Sequence, residues 1–193
     1  MCGVVFCYDA DMAERAMILI DGSNFYHRLK ELRLRHLLSF DYAAFAKFLC
    51  GEKRKLAGCT YYIGAVREEV GNAKSQQLMA NQVRLINRLR QQKWGVRLGE
   101  MLQSDGIYHE KGVDVRMAVD LVAGAYEDLY DTAILVSSDS DLIPALEKVR
   151  SKKKNVTYVG FSHKPSHALI AHSNIRRLLT REDLEQFLPA QEL

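Results

Sequence analysis

Short apolar runs alternate with stretches of helical periodicity along this chain, and the alternation is typical of an α/β domain. Runs rich in β-branched and aromatic residues predict strands at 17–20, 60–66, 96–102, 132–137 and 156–161. The pair Asp105-Gly106 predicts a hairpin turn into a further short strand at 107–108. The hydrophobic pattern therefore predicts about five principal strands.

Helices are predicted between these strands, at residues 23–38, 42–50, 73–93, 113–126 and 142–150. Asp41 is suited to cap the second helix at its start, and Gly51 to end it. The helix at 113–126 is apolar almost all round, which predicts deep burial. The tail after Pro165 predicts two short helices around Ile175.

The fold class predicted from this order is a single α/β domain. Continuous apolar strands between helices indicate a central, mostly parallel sheet with helices on both faces. Residues 17–193 are expected to form the domain, preceded by an N-terminal extension at residues 1–16. In such sheets the ligand site lies beyond the carboxyl ends of the strands, where the strand order reverses. With the usual winding, the first and fourth strands are neighbours at that point.

Composition narrows the class of protein further. At 193 residues, with 48% hydrophobic and 26% charged, the chain can bury one core, which excludes a disordered chain or a disulfide miniprotein. A net charge of +3 neither identifies nor excludes a nucleic-acid partner. No apolar run approaches the roughly 20 residues that cross a membrane. Cys50 and Cys59 indicate reduced core thiols, and we expect a cytoplasmic protein.

Four carboxylates are predicted at one edge of the sheet. Asp21 ends the first strand, Asp139 and Asp141 follow the 132–137 strand, and Asp114 opens the buried helix. Because packed carboxylates repel, their convergence favours a bound hard cation with oxygen ligands, Mg²⁺ or Mn²⁺. Helix capping or turn chemistry remains the alternative for each acid taken singly. All of them at one edge favour the metal.

Three segments together resemble a known family. Residues 18–24 (Ile-Leu-Ile-Asp-Gly-Ser-Asn), 111–120 (which open with Lys-Gly-Val-Asp and end at Asp120) and 136–141 (Val-Ser-Ser-Asp-Ser-Asp) are similar to the ordered motifs of the NYN domain. More narrowly, they resemble its LabA-like branch within the PIN-like nuclease superfamily. The resemblance runs from Met17 to the tail. It implies a three-layer, PIN-like (Rossmannoid) sandwich, a Mg²⁺ or Mn²⁺ site and hydrolysis of RNA phosphodiester bonds.

The resemblance also implies roles for individual residues. It matches Asp21, Asp114 and Asp139 to the acidic metal-binding set, Asn24 to its polar partner, Asp141 and Asp120 to auxiliary acids, and Lys111 to the basic residue of the second motif. The implied enzyme is a metal-dependent ribonuclease in which a metal-activated water attacks in line, leaving 5′-phosphate and 3′-hydroxyl ends. The tail departs from the family, because residues 171–174 read Ala-His-Ser-Asn where another Asp is usual.

Several of these residues have simpler interpretations. Asp120 lies four residues after Arg116, a spacing that also suits an ordinary surface ion pair. Lys111 is either a plain loop lysine or a cation for the phosphate, and we favour the second. Asn24 either caps the turn or supports Asp21 from within it, and we favour the supporting role.

Substrate contacts are predicted from basic residues. The 67–93 region is a candidate phosphate-binding face, and two residues follow the last strand at the acidic edge. The candidates are Arg67, Arg84, Arg88, His163 and Lys164. Phe25 and Tyr26 either stack on a base or, as we favour, belong to the core. The lysines at 152–154 are predicted at the opposite end of the sheet, as a solubilising run.

The predicted partner is single-stranded RNA, with no membrane contact and with homodimerisation left open. One alternative keeps the fold but is a non-catalytic, RNA-binding or regulatory NYN protein. A receiver-like phosphotransfer domain is a weaker alternative, because Asp21 is followed by Gly22 rather than a second acid. A glycine-rich phosphate loop is missing from the first strand–helix turn, which argues against nucleotide-binding enzymes of the P-loop or Rossmann kind.

Overall fold

The computed structural model describes residues 13–34, 37–66, 71–104 and 107–189. Seven strands form one sheet in the order β4-β3-β2-β1-β5-β6-β7. Six of them run parallel, and only β4 is antiparallel, beside β3. The strands are β1 Glu14–Asp21, β2 Arg54–Gly64, β3 Gly95–Ser104, β4 Ile107–Lys111, β5 Thr132–Val136, β6 Asn155–Phe161 and β7 Ile175–Leu179.

The sheet is wider than the five strands predicted. The added strand β7 begins at Ile175, where the sequence pattern predicted only flanking helices. It is a partly exposed edge strand with two arginines, so it lacks the continuous apolar run of β5. Asp105 and Gly106, the predicted hairpin turn, lie outside the described residues. So does most of the predicted N-terminal extension, and β1 begins at Glu14.

Seven helices are described around the sheet. They are α1 Gly22–Glu31, α2 Tyr42–Cys50, α3 Ala73–Gln91, α4 Val113–Tyr126, α5 Ile143–Ser151, α6 His167–Ala171 and α7 Arg181–Glu185. The bounds of α2 and α4 are those predicted. The first helix is shorter than its predicted range of 23–38. It ends early because Arg33 adopts a left-handed conformation, φ 62°, and the Leu34 N–H bonds back to the Leu29 carbonyl at 2.9 Å.

Helices cover both faces of the sheet and enclose two cores. Side chains of α1, α2, α3 and α7 form one core, and those of α4, α5 and α6 form the other. The central strand β1 serves both, because Ile18 and Ile20 point into the first core and Leu19 into the second. The architecture is therefore the predicted three-layer α/β sandwich.

Phe25 belongs to the first core rather than to a surface that could stack on a base. It is fully buried, and its ring centroid lies 5.6–6.1 Å from those of Phe40, Phe45 and Phe161. The core interpretation of Phe25 is thus confirmed, whereas the neighbouring Tyr26 is 48% exposed.

Polar pairs close the amino end of the sheet, opposite the acids. The Arg15 Nε donates to Asp131 at 3.0 Å, and the Lys154 ammonium lies 3.2 Å from the same carboxylate. Lys154 is therefore an ion-pair partner rather than a free solubilising charge. Asn174 also lies at this end, where its side chain accepts from the Val156 N–H at 3.0 Å. Within the 171–174 stretch, Asn174 therefore has a structural role at the end of the sheet opposite the acids.

Candidate active site at the carboxyl ends of the strands

The strand order reverses between β1 and β5, which are hydrogen-bonded neighbours with Ile20 opposite Val136. β1 ends at Asp21, so this residue stands at the reversal point. Its carboxylate caps α1, accepting from the Asn24 N–H at 3.0 Å, and accepts from the Ser137 hydroxyl at 3.1 Å. Only 5% of Asp21 is exposed. The local structure therefore fixes this carboxylate in a single buried position.

Asp139 follows β5 and begins a short 3₁₀ turn, Ser140–Leu142. Its carboxylate accepts from the Asp141 N–H at 2.9 Å, and its own N–H donates to the Ser137 oxygen at 3.1 Å. Ser137 thus bonds to Asp21 through its hydroxyl hydrogen and to Asp139 through its oxygen. Sequence reasoning assigned Ser137 no role at the site, although it stands in the third motif between the strand and the acids.

Asp114 comes from the other face of the sheet, in the first turn of α4. The preceding Gly112 has φ 81°, a left-handed conformation that suits glycine, and no side chain caps this helix. Asp21, Asp114 and Asp139 line one cleft of about 360 Å³ together with Asn24. The three acids therefore share one cleft, and their joint binding of one ion stays a prediction.

The cleft raises the pKa of Asp21 and of Asp114. Burial, reinforced by the charges of Asp114 and Asp139, raises the pKa of Asp21 to about 6, although hydrogen bonds from Asn24 and Ser137 oppose the shift. Burial also raises the pKa of Asp114, again with a contribution from neighbouring carboxylates. At neutral pH the site therefore concentrates negative charge that no cation of the described chain offsets by a direct ion pair.

The donor chemistry of the cleft fits a hard divalent cation. Apart from His27, which also lines the cleft, the candidate ligands are oxygens, and the Asn24 side-chain oxygen is buried without a hydrogen-bond partner among the described residues. Within the same part of the chain, however, no three His, Cys, Asp or Glu side chains are grouped closely enough to hold an ion as they stand. Binding of a cation would therefore require the carboxylate oxygens to move closer to one another.

Two predicted residues of the second motif lie beside the cleft rather than in it. Lys111 and Asp120 line an adjoining pocket, which meets the cleft at Gly112. Asp120 accepts from the Tyr62 hydroxyl at 2.8 Å and lies 3.6 Å from the Arg97 Nε. Its ion pair is therefore with Arg97 and not with Arg116. Asp141 is exposed and borders an apolar groove between α4 and α5.

His163 and Lys164 gather around one acid of α1. The His163 Nε2 lies 3.0 Å and the Lys164 ammonium 3.7 Å from the Glu31 carboxylate, which Arg28 also pairs with at 2.9 Å. Arg28, followed by His163, lowers the pKa of Glu31 to about 2. Arg28 lines the acidic cleft, so a cationic group stands at its margin.

Sequence reasoning missed Arg28 and His27, both of which line the cleft. Helical spacing would have indicated them, because His27 lies three residues and Arg28 four residues after Asn24 on α1. The basic residues predicted on α3 are not in the cleft: Arg84 is exposed and Arg88 half-buried on that helix. Arg67 lies outside the described residues.

A parallel sheet between two helical layers, with three acids where its strand order reverses, defines a PIN-like α/β domain. The family model of the NYN domain matches residues 15–176, and the chain belongs to this family. A crystal structure of a protein of unknown function from Vibrio parahaemolyticus is similar, with a TM-score of 0.63 and 24% identity. The match covers 90% of this chain and 96% of that one, and it shows the fold alone. No curated protein matches the chain.

A membrane span requires a helix that is both long and apolar. None of the described helices between residues 13 and 189, outside the gaps given above, meets both requirements.

Proposed function

We propose that this protein is a Mg²⁺- or Mn²⁺-dependent ribonuclease of the LabA-like branch, which hydrolyses phosphodiester bonds of single-stranded RNA. The main support is the cleft at the strand reversal, where the buried Asp21 shares its surroundings with Asp114 and Asp139. Clustered carboxylates with raised pKa values are costly to stability, and such cost is typical of functional sites.

The chain's own groups have distinct parts in this proposal. Asp21 and Asp139 are held by Ser137 and by backbone N–H groups, so both carboxylates keep fixed positions at the cleft and retain lone pairs for a cation. Asp114 approaches from the first turn of α4, in the helical layer that also contains α5. When bound to these acids, the cation would supply a nucleophilic water and offset charge on the phosphate oxygens.

Other residues serve the substrate and the attacking water. Asp141 orients a water at the outer edge, and Arg28 on one side and Lys111 on the other attract the phosphates. The proposal uses no Ser, Cys or His nucleophile, so it predicts no covalent intermediate, and the product ends are 5′-phosphate and 3′-hydroxyl.

A non-catalytic, RNA-binding protein is the second candidate. One observation favours it: no three metal-ligating side chains of the described residues are preassembled for an ion. Such a protein would bind RNA through the same basic margins without cleaving it.

The test is the cleavage of end-labelled single-stranded RNA with Mn²⁺, comparing the wild type with Asp139→Asn. The Asn keeps the acceptor for the Asp141 N–H but removes one charge, so we expect activity to fall by about two orders of magnitude or more with folding intact. The matched control is Asp128→Asn, at the opposite end of the sheet in a left-handed conformation (φ 56°) that Asn tolerates.

The control should cleave like the wild type. Cleavage that survives a chelator, or that leaves cyclic phosphate ends, would contradict the mechanism. RNA binding without cleavage by either protein would favour the second candidate.

A further inference from the structure

A second pocket of about 520 Å³ opens beside the acidic cleft and shares Gly112 with it. Residues of β3 and of the first two turns of α4 form its walls, and Lys111 stands at the end of β4 beside them. Its volume is within the range of roughly 300–1,000 Å³ that is usual for small-ligand pockets. A ligand that crosses Gly112 would therefore occupy both spaces at once.

The rim of this pocket is positively charged. Arg97, Lys111 and Arg116 line it, against a single acid, Asp120. That acid already accepts from the Tyr62 hydroxyl at 2.8 Å and lies 3.6 Å from Arg97, which keeps the guanidinium at the rim. The pocket thus has the charge that phosphate groups require, next to a cleft of opposite charge.

The floor of the pocket is apolar and unusually exposed. Val115 and Val119, one turn apart on α4, are 67% and 58% exposed. Nothing in the described part of the chain covers them. Large apolar side chains clustered at the surface indicate a binding surface. The face of a nucleobase is a planar apolar surface that such a floor can bury.

We propose that this pocket binds the nucleotide next to the cleaved bond of a single-stranded RNA. The base packs on Val115 and Val119, and its phosphate lies between Arg97 and Arg116. The inference rests on the proposed function, since RNA is the ligand that would span the acidic cleft and this pocket. It goes beyond that function by assigning a subsite to residues outside the acidic cleft.

Binding of a fluorescent single-stranded RNA to the Asp139→Asn background, in chelator, tests the charged rim without cleavage. The double variant Arg97→Gln/Arg116→Gln should weaken the affinity roughly tenfold. Because one phosphate contact on a single strand contributes about 0.7 to the slope of log K against log salt, the variant should also make that slope shallower by about 0.7. The matched control is Lys53→Gln/Lys55→Gln, which removes the same charge at the amino end of β2. The control should leave the slope within experimental error.

The floor is tested with the double variant Val115→Ser/Val119→Ser in the same binding assay. Analytical sedimentation of the wild type and of this variant measures self-association. We expect RNA affinity to fall severalfold with an unchanged salt slope, since an apolar contact and not a charge is lost. Unchanged affinity in both double variants would overturn the subsite. Self-association of the wild type that is lost in the serine variant, with RNA affinity intact, would also overturn it and make the floor a dimer interface.

The nucleotide subsite and the nuclease activity can be refuted separately. Mn²⁺-dependent cleavage by the wild type, together with no effect of the pocket variants on RNA affinity, would overturn the subsite and leave the nuclease standing. A wild type that neither binds nor cleaves RNA would overturn the proposed function itself.

Discussion

Asp21 shows how one residue can serve structure and chemistry together. It ends β1, caps α1 through the Asn24 N–H, and contributes a buried carboxylate to the cleft. Capping and a role in the acidic site were alternatives when only the sequence was considered. In the structure they are compatible, because one carboxylate oxygen accepts from Asn24 and the other from Ser137. The cost of this arrangement is the raised pKa.

The raised pKa of Asp21 should make the free energy of unfolding depend on pH. The pKa of Asp21 is about 6 in the folded protein against an ordinary 3.8, so the native state binds more protons between these values. Stability in chelator should therefore fall as pH rises from 4 to 6, by about 3 kcal/mol for this group. Asp21→Asn should remove this part of the slope and unfold at higher urea at pH 7. An unchanged slope in the variant would contradict the assignment.

Among the helices and strands, the prediction from sequence was most accurate where one hydrophobic pattern continues without interruption. α2 and α4 have the predicted bounds, and the neighbouring strands β1 and β5 follow from their continuous apolar runs. β7 was missed because its pairing with β6 is non-local and its exposed edge needs no apolar run. The acids were found because parallel strands end at a common edge. Lys111 lines the pocket beside the acidic cleft and not the cleft itself. Sequence spacing could not distinguish the two positions, because it does not determine on which side of Gly112 a side chain lies.

The junction between β1 and α1 depends on close packing at Gly22. A β-carbon there would lie 2.3 Å from Tyr61 Cε1 and 2.6 Å from the Tyr62 carbonyl oxygen, and the second is a backbone atom that cannot turn away. We expect Gly22→Ala to lower the free energy of unfolding by about 2–4 kcal/mol, measured by urea denaturation. Alanine favours helices, so the loss would come from packing.

Gly58→Ala is the control for this substitution, because a β-carbon at Gly58 meets no atom within 4 Å. Its stability should change by no more than about 0.5 kcal/mol. If the two variants were equally stable, the close approach of α1 to β2 would be refuted.

For the whole molecule, the distribution of charge is more informative than its sum. The net charge of +3 identified no partner, yet the carboxyl edge of the sheet separates the charges sharply. Acids occupy the cleft, Arg28 with His163 and Lys164 stands on one side, and the basic pocket opens on the other. At the amino edge, by contrast, the acids themselves are paired, as Asp131 is with Arg15. An unpaired acidic cleft between basic margins suits a polyanion that meets a bound cation.

Such a cation should stabilise the native state, because it binds the assembled acids and not the unfolded chain. At a Mn²⁺ concentration 100 times its dissociation constant the gain is about 2.7 kcal/mol. For a protein of this size, that gain raises the melting temperature by roughly 5–10 °C. The shift should be largely lost in Asp139→Asn and kept in Asp128→Asn, which differs from the wild type by the same charge at the opposite end of the sheet. The measurement needs no RNA and no turnover. An equal shift of the melting temperature in both variants would show that Mn²⁺ binds elsewhere. If Mn²⁺ did not shift the melting temperature of the wild type, the metal would be removed from the proposed mechanism.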